Sequence, residues 1–345
     1  MESMDPQLQS LVCELFESAG ISSHPCSITS IKRGGNNQIS LVTCEDQKVI
    51  LKQYFQNPQD SRNRLHTEFE FLKIASERAP GLVPKVYSKS DEKYAALYEF
   101  ILGNTIEADA EITENFVHQA ARFIAKLNSC TELVAPAYLS PASEACFSIE
   151  QHIQTIDERL NELEQSKSAQ PCDDDFTHTL SQICRCWLEI KATLLRRCHQ
   201  DRRLPLASAL SPAQQILSPS DFGFQNVLIQ PNAQLAFIDF EYAGWDDPAK
   251  LVGDFFAQVA MPVDIKYFDL FLTTAFKNRA DYEEIHARSL ALLSLYKIKW
   301  CCIVLNIYLP KHLARRQFAD PQLDVPEIKR KQLLKAKQLL EETTL

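Results

Sequence analysis

Apolar positions fall in short β-prone runs near the start of the chain and recur at helical spacing further along. The runs Ile39 to Cys44 and Lys48 to Phe55 are separated by the polar turn Glu45-Asp46-Gln47, which predicts an antiparallel hairpin. A further strand is expected ahead of it, over Ser27 to Lys32. Arg64 to Ser76 places Leu65, Phe69, Leu72 and Ile74 at helical spacing, so an amphipathic helix is expected there, ended by Pro80, Gly81 and Pro84. Val83 to Tyr87 and Tyr94 to Ile101 read as two more strands, which gives a small sheet with one helix packed on it.

Beyond the short polar stretch Leu102-Gly103-Asn104 the period changes to that of helices. Thr113 to Leu127 lines Phe116, Ala120, Phe123, Ile124 and Leu127 along one face. Further helices are expected over Ile149 to Leu163 and Phe176 to Arg197, with Glu164 to Asp175 as a surface loop between them. One β signal interrupts this region: Val227-Leu228-Ile229 and Leu235-Ala236-Phe237-Ile238 flank the turn Pro231-Asn232-Ala233-Gln234. An apolar helix over Leu290 to Leu309 and an amphipathic tail over Pro326 to Glu342 complete the pattern. The fold class is therefore α+β and two-lobed. A β-sheet lobe covers 1–101, a hinge lies near Glu99 to Asn104, and a larger, mainly α-helical lobe with one β-hairpin covers 102–345.

Composition narrows the function classes. A chain of 345 residues that is 45% hydrophobic can bury a sizeable core, so a folded globular protein is expected. A net charge of −9 provides none of the clustered Lys and Arg that phosphate backbones demand, which argues against nucleic acid as a partner. Met1 to Leu11 carries Glu2 and Asp5 without a basic segment and apolar run, and Trp300 to Leu309 is too short to span a bilayer and is interrupted by Asn306. A cytoplasmic protein without a membrane partner is the expectation. The 11 cysteines lack CxxC spacing, and the lone CxC of Cys184 and Cys186 sits in a helical pattern, so they read as reduced, packed thiols. No metal site built from Cys and His is expected.

The sharpest constellation is Ser218-Pro219-Ser220-Asp221-Phe222-Gly223-Phe224-Gln225-Asn226, followed by the hairpin and then Ile238-Asp239-Phe240-Glu241. Phosphoryl transfer needs a carboxylate to orient the attacking hydroxyl and accept its proton. It also needs oxygen ligands that hold magnesium against the nucleotide phosphates. Asp221, Asn226 and Asp239 supply those groups, and the apolar strands around them would place Asn226 and Asp239 at rigid strand ends. Upstream, Arg33-Gly34-Gly35-Asn36-Asn37-Gln38 lies between two strands, where Gly34 and Gly35 would let the backbone approach phosphates. Lys52 lies on the next strand, in Val49-Ile50-Leu51-Lys52, and Glu68 on the following helix.

The order and spacing of these residues resemble the aminoglycoside phosphotransferase and choline kinase superfamily, whose pattern is Asp, four residues, Asn, a hairpin, then Ile-Asp-Phe. The resemblance implies a protein-kinase-like fold with ATP and Mg2+ as cofactors and a small-molecule hydroxyl as acceptor: a sugar, an amino-alcohol or an aminoglycoside-like compound. By that resemblance Asp221 is the catalytic base, Asn226 and Asp239 are magnesium ligands, and Glu241 is an acidic neighbour of the metal. Gly34, Gly35 and Asn37 belong to the phosphate loop. Lys52 holds phosphates and pairs with Glu68, which aligns with Arg64 and Leu72 in an Arg-x-x-x-Glu-x-x-x-Leu pattern. Tyr98-Glu99-Phe100-Ile101 resembles the hinge strand, where the backbone of Glu99 and Ile101 holds adenine. Tyr242-Ala243-Gly244-Trp245-Asp246-Asp247-Pro248 resembles the family's Gly-Asp-Pro segment, but Leu251 stands where many relatives have an aspartate, and Asp254 is the nearest acid, expected to brace the catalytic loop. Pro219-Ser220 replaces the usual His-Gly. A catalytically silent nucleotide-binding protein is the alternative reading, and the absence of an Ala-Pro-Glu segment argues against a protein kinase.

Overall fold

The computed structural model describes residues 6–22, 27–31, 37–44, 47–56, 62–107, 110–129, 139–167, 174–319 and 322–344. In chain order the first elements are α1 (Pro6–Ala19), β1 (Ser27–Ile31), β2 (Asn37–Thr43), β3 (Lys48–Tyr54), α2 (Arg64–Arg78), β4 (Val86–Ser90) and β5 (Ala95–Glu99). The five strands form one antiparallel sheet in the order β1-β2-β3-β5-β4. Because side chains alternate along a strand, each face of this sheet has its own partner. Val49 and Leu51 of β3 and Ala95 and Leu97 of β5 pack with Leu11, Val12, Leu15 and Phe16 of α1. Tyr54 of β3 and Ala96 and Tyr98 of β5 join the opposite cluster with Leu65, Phe69 and Leu72 of α2. The small lobe thus has a second helix, α1, that the hydrophobic pattern of the strands and α2 left out. Helix α2 starts where the side chain of Asn63 accepts the His66 N–H, satisfying one of the free amides of the first turn.

The chain then passes through β6 (Asn104–Thr105), α3 (Glu114–Leu127), α4 (Ile149–Lys167), α5 (Asp174–Gln200), β7 (Ile216–Ser218), β8 (Val227–Ile229), β9 (Leu235–Phe237) and β10 (Gly244–Asp246). It ends in α6 (Pro248–Ala257), α7 (Phe268–Phe276), α8 (Tyr282–Leu305), α9 (Pro310–Ala319) and α10 (Val325–Thr344). The expected hairpin is β8–β9, and β6 adds a third strand to it immediately after the hinge. A second, two-stranded ribbon pairs β10 with β7, register Gly244↔Ser218 to Asp246↔Ile216. Three-residue strands are too short to leave an alternating signature, which is why this ribbon was not legible in the sequence.

Several expected boundaries move, among them the strand read as Val83 to Tyr87, which is β4, Val86–Ser90. Helix α4 continues to Lys167, into the stretch read as a surface loop, and α5 begins at Asp174. The apolar helix read as Leu290 to Leu309 begins at Tyr282. By length and composition the Tyr282–Tyr308 segment is apolar enough to cross a membrane. Here α8 packs against α4, α5, α6 and α10, and its buried Arg288 and Lys299 are ion-paired to Asp247 and Asp254. Its apolar character follows from being surrounded by helices.

The closest helix contact matters for the site. Every residue of α6 is buried, and a Cβ at Gly253 would collide with the ring of Tyr296 on α8. Gly253→Ala is therefore expected to lower stability by about 1–3 kcal/mol, because the buried ring has no room to withdraw. Urea denaturation of the two proteins checks this, and equal midpoints would mean that α6 and α8 are not packed this tightly.

Candidate active site

The site is organised around one buried ammonium group. Alternation along β3 turns Lys52 to the α2 face, where it is 4% exposed. Its Nζ lies 2.6 Å from Glu68 Oε2 and 2.7 Å from Asp239 Oδ1. Glu68 is saturated: Tyr54 OH donates to its Oε2 at 2.7 Å and the Phe240 N–H to its Oε1 at 3.2 Å. Burial by itself would push the Lys52 pKa down, but Glu68, Asp239 and Glu241 outweigh it and hold the lysine charged, above its ordinary range. The expected Lys52–Glu68 pair is thus formed. It is tied through Asp239 and Phe240 to the segment that follows β9 in the other lobe.

The loop that carries Asp221 leaves β7 at Ser218. Ser220 has φ +66°, in the left-handed region where a Cβ is strained. Asp221 follows, with its N–H donating to the Pro219 carbonyl at 2.9 Å. Phe222 and Phe224 turn inward and are buried, Phe222 against Phe123, Phe237 and Phe255, and this aromatic underside fixes the loop from below. Asp221 faces the cleft on the other side. Its Oδ1 accepts from Gln225 Nε2 at 3.2 Å, and Asn226 Nδ2 donates to its carbonyl oxygen at 3.0 Å and reaches its Oδ2 at 3.4 Å. Although the residue is open to solvent along the cleft, protein surrounds its carboxyl. Desolvation first and the charge of Asp239 second push its pKa up to about 6, against the hydrogen bond from Asn226.

Asn226 and Asp239 are brought together across the hairpin, with the Ile238 N–H donating to the Asn226 carbonyl at 3.0 Å. Asp239 has φ +68°, a second left-handed non-glycine residue in the site. Its side chain remains 43% exposed although one oxygen is held by Lys52. With the Asn226 amide nitrogen committed to Asp221, what this residue has left for a cation is its carbonyl oxygen. An oxygen-only set of Asn226 and Asp239 fits a hard divalent ion such as Mg2+, and no His or Cys competes in it.

Glu241 is placed differently from a residue that ligates a metal directly. It is 2% exposed, and both oxygens are engaged: Arg64 Nη1 lies 3.1 Å from Oε1, and Asn37 Nδ2 donates to Oε2 at 2.6 Å. Glu241 therefore fastens the start of β2, at Asn37, and the start of α2, at Arg64, to the large lobe. Gly34 and Gly35 lie outside the described residues. At the hinge, the Glu99 N–H donates to the Lys85 carbonyl at 2.9 Å.

Asp254 is reached by Lys299 Nζ at 3.0 Å and by Trp300 Nε1 at 3.0 Å, and its charge acts on Asp221. It touches Lys250 at 3.5 Å rather than the catalytic loop itself. Tyr54, Ser220 and Lys250 were not singled out as participants from the sequence. A tyrosine or lysine in an apolar run carries no signal of what it faces.

The sequence model of the Phosphotransferase enzyme family matches residues 27–287. Curated protein sequences give no match. Among solved structures, the choline kinase of Cryptosporidium parvum Iowa II is similar with a TM-score of 0.59 at 12% identity, over 92% of this chain and 89% of that one. The ethanolamine kinase of Plasmodium vivax is similar with a TM-score of 0.59 at 14% identity, over 96% of this chain and 89% of that one. APH(2″)-IIa, solved in a ternary complex with streptomycin and ATP, is similar with a TM-score of 0.56 at 14% identity, over 95% and 99%. At these identities the likeness is one of fold, the protein-kinase-like fold of small-molecule kinases.

The Lys52–Glu68 pair generates a test of its own. Lys52→Met leaves Glu68 buried without a cation and is expected to cost about 3–5 kcal/mol of stability. The double variant Lys52→Met/Glu68→Gln should recover much of that loss, since no buried charge then stands alone. Denaturant midpoints of both variants and of Glu68→Gln alone check the coupling; strictly additive losses would contradict it.

Proposed function

The chain belongs to the phosphotransferase enzyme family, and from that premise we propose that it transfers the γ-phosphoryl group of ATP to a hydroxyl of a small molecule, with Mg2+ as its metal. The observation that carries this reading is the line of contacts from Lys52 of the small lobe to Asp239 of the large one, 2.7 Å apart, with Asn226 and Asp221 beside it. It joins a phosphate-binding cation, a metal-ligand pair and a carboxylate base in one cleft.

The acceptor hydroxyl gives its proton to Asp221 as its oxygen bonds to the γ-phosphorus. The bond from that phosphorus to the β–γ bridging oxygen breaks, and ADP departs. Gln225 and Asn226 orient the Asp221 carboxylate for this by hydrogen bonds that leave it ionisable. Lys52, kept charged by its carboxylates, binds phosphate oxygens. The side-chain Oδ1 of Asn226 and the carboxylate of Asp239 would hold Mg2+, which would neutralise charge on the nucleotide phosphates. Adenine would lie against the Glu99 carbonyl and Ile101 N–H, with the phosphates under the loop that contains Gly34 and Gly35. The acceptor belongs to the hydroxyl compounds of the sugar, amino-alcohol and aminoglycoside classes.

Two outcomes check the reading. ATP consumption with Mg2+ against a panel of those three classes should show turnover on one of them, and Asp221→Asn should lower it by about 10²–10⁴-fold while nucleotide binding persists. ATP binding without turnover across the panel would point instead to a silent nucleotide-binding protein. The pH profile has a defined sign. The base works only when ionised and its pKa is raised to about 6, so kcat/KM should fall as pH drops through about 6 and level off above it. A flat profile from pH 5 to about 8 would contradict the raised pKa of Asp221.

A further inference from the structure

Immediately before Asp221 the backbone takes a conformation that its residue disfavours. Ser220 sits at φ +66°, a region glycine adopts freely and a residue with a Cβ does not. The serine is held there by three hydrogen bonds. Its N–H donates to Ser218 Oγ at 3.0 Å, closing the turn locally. Its hydroxyl donates to the Ser143 carbonyl at 3.3 Å. That same hydroxyl accepts from Lys250 Nζ at 3.2 Å.

Lys250 is an unusual partner. It lies in α6 and is 1% exposed, so its ammonium is fully withdrawn from water. A buried charge persists only when it is paired and hydrogen-bonded. Here Asp246 Oδ2 accepts at 2.8 Å and Asp254 Oδ2 lies at 3.5 Å, while the third direction goes to Ser220. Burial would lower the lysine pKa, but these two aspartates outweigh it and keep Lys250 protonated, hence a donor. Asp246 is itself fixed in β10, paired with Ile216 of β7, the strand that leads into the catalytic loop. Ser143 is fixed to the turn just before β10, its N–H donating to the Tyr242 carbonyl at 2.9 Å. The serine hydroxyl therefore connects the catalytic loop to α6 and to the 139–148 segment at once. Pro219, where relatives place a histidine, offers no side-chain hydrogen bond to do so.

We propose that Lys250 is a positioning residue that acts through the Ser220 hydroxyl, locking the left-handed turn before Asp221 so that the carboxylate points into the cleft. The consequence for catalysis rests on the phosphotransferase reading given above; the lock itself does not. A serine rather than a glycine at this strained position then follows from chemistry. Glycine would relax the backbone but give the lysine nothing to hold.

Ser220→Gly tests this without endangering the fold, because glycine takes the left-handed φ with no Cβ penalty. Two readouts are needed. The first is hydrogen–deuterium exchange over residues 216–226, which requires no activity. Exchange there should quicken by about ten-fold or more in Ser220→Gly, with the core strands β3 and β5 unchanged. The second is kinetics with the acceptor found on the panel: kcat should fall by about ten-fold or more while the KM for ATP stays near the wild-type value, since a misaimed base harms chemistry and leaves nucleotide contacts alone. Lys250→Gln, checked as folded by circular dichroism, should loosen the same segment, and added to Ser220→Gly it should cost little more kcat. Unchanged protection of 216–226 in Ser220→Gly would overturn the lock, as would loosening with wild-type kcat overturn its role in aiming Asp221. A wild type that transfers no phosphoryl group, with protection still lost in the variant, would leave the lock standing and sink the phosphotransferase reading instead.

Discussion

A lysine ammonium buried between two lobes has to be surrounded by carboxylates, and much of the site is arranged to meet that demand. Lys52 is withdrawn from water by the α2 side of the sheet, so Glu68 must come from α2 and Asp239 from beyond β9 to neutralise it. Each carboxylate then has obligations of its own. Glu68 draws in Tyr54 and the amide of Phe240, and Glu241, whose charge also acts on Lys52, draws in Arg64 and Asn37. The polar contacts across the cleft are thus consequences of one desolvated charge. The same contacts set the Lys52 ammonium beside Asp239, one of the two oxygen ligands proposed for the metal.

The large lobe meets a similar demand by a different route. Asp247 caps α6 by accepting the Ala249 N–H at 2.7 Å, and it also takes Arg288 at 2.6 Å and His152 at 2.9 Å, with no exposure to water. Burial would raise its pKa, but Arg288 and His152 outweigh it and bring it down to about 2. Burial is also the main reason that His152 is pushed below its usual range. Helix α6 is therefore pinned at its start by Asp247, along its length by the tight packing of Gly253 on Tyr296, and on its site-facing side by Lys250 and Asp254. A helix held this firmly is a suitable platform from which to hold a catalytic loop.

Strain and support coincide around the base. Ser220 and Asp239 both adopt left-handed backbone conformations, which cost about 1–3 kcal/mol each and persist only where surroundings over-determine them. Around Ser220 the surroundings are Ser218, Ser143 and Lys250; around Asp239 they are Lys52 and the Glu68–Phe240 amide contact. Beneath both lies the aromatic cluster of Phe123, Phe222, Phe237, Phe240 and Phe255, which gives the loops a rigid floor. The rotation of Asp221 into the cleft follows from inward-facing phenylalanines on one side and amide donors on the other.

The sequence alone was sufficient for the two-lobed α+β class, for the sheet from β1 to β5, for the β8–β9 hairpin and for the order Lys52, Glu68, Asp221, Asn226, Asp239. Periodicity reports which residues face a core, and motif spacing reports which polar groups lie near one another along the chain. What it could not report is pairing between residues far apart in sequence. Glu241 looked like a metal neighbour, yet Arg64 and Asn37, 177 and 204 residues away, take both of its oxygens. Lys250 carries no motif signal, yet folding buries it against Ser220, 30 residues earlier. Helix α8 read as shorter than it is, because charged residues such as Arg288 look like helix ends until Asp247 is brought to them. In each case the deciding quantity is the desolvation of a charge, and only the tertiary structure determines which charges lose their water and which partners are near enough to replace it.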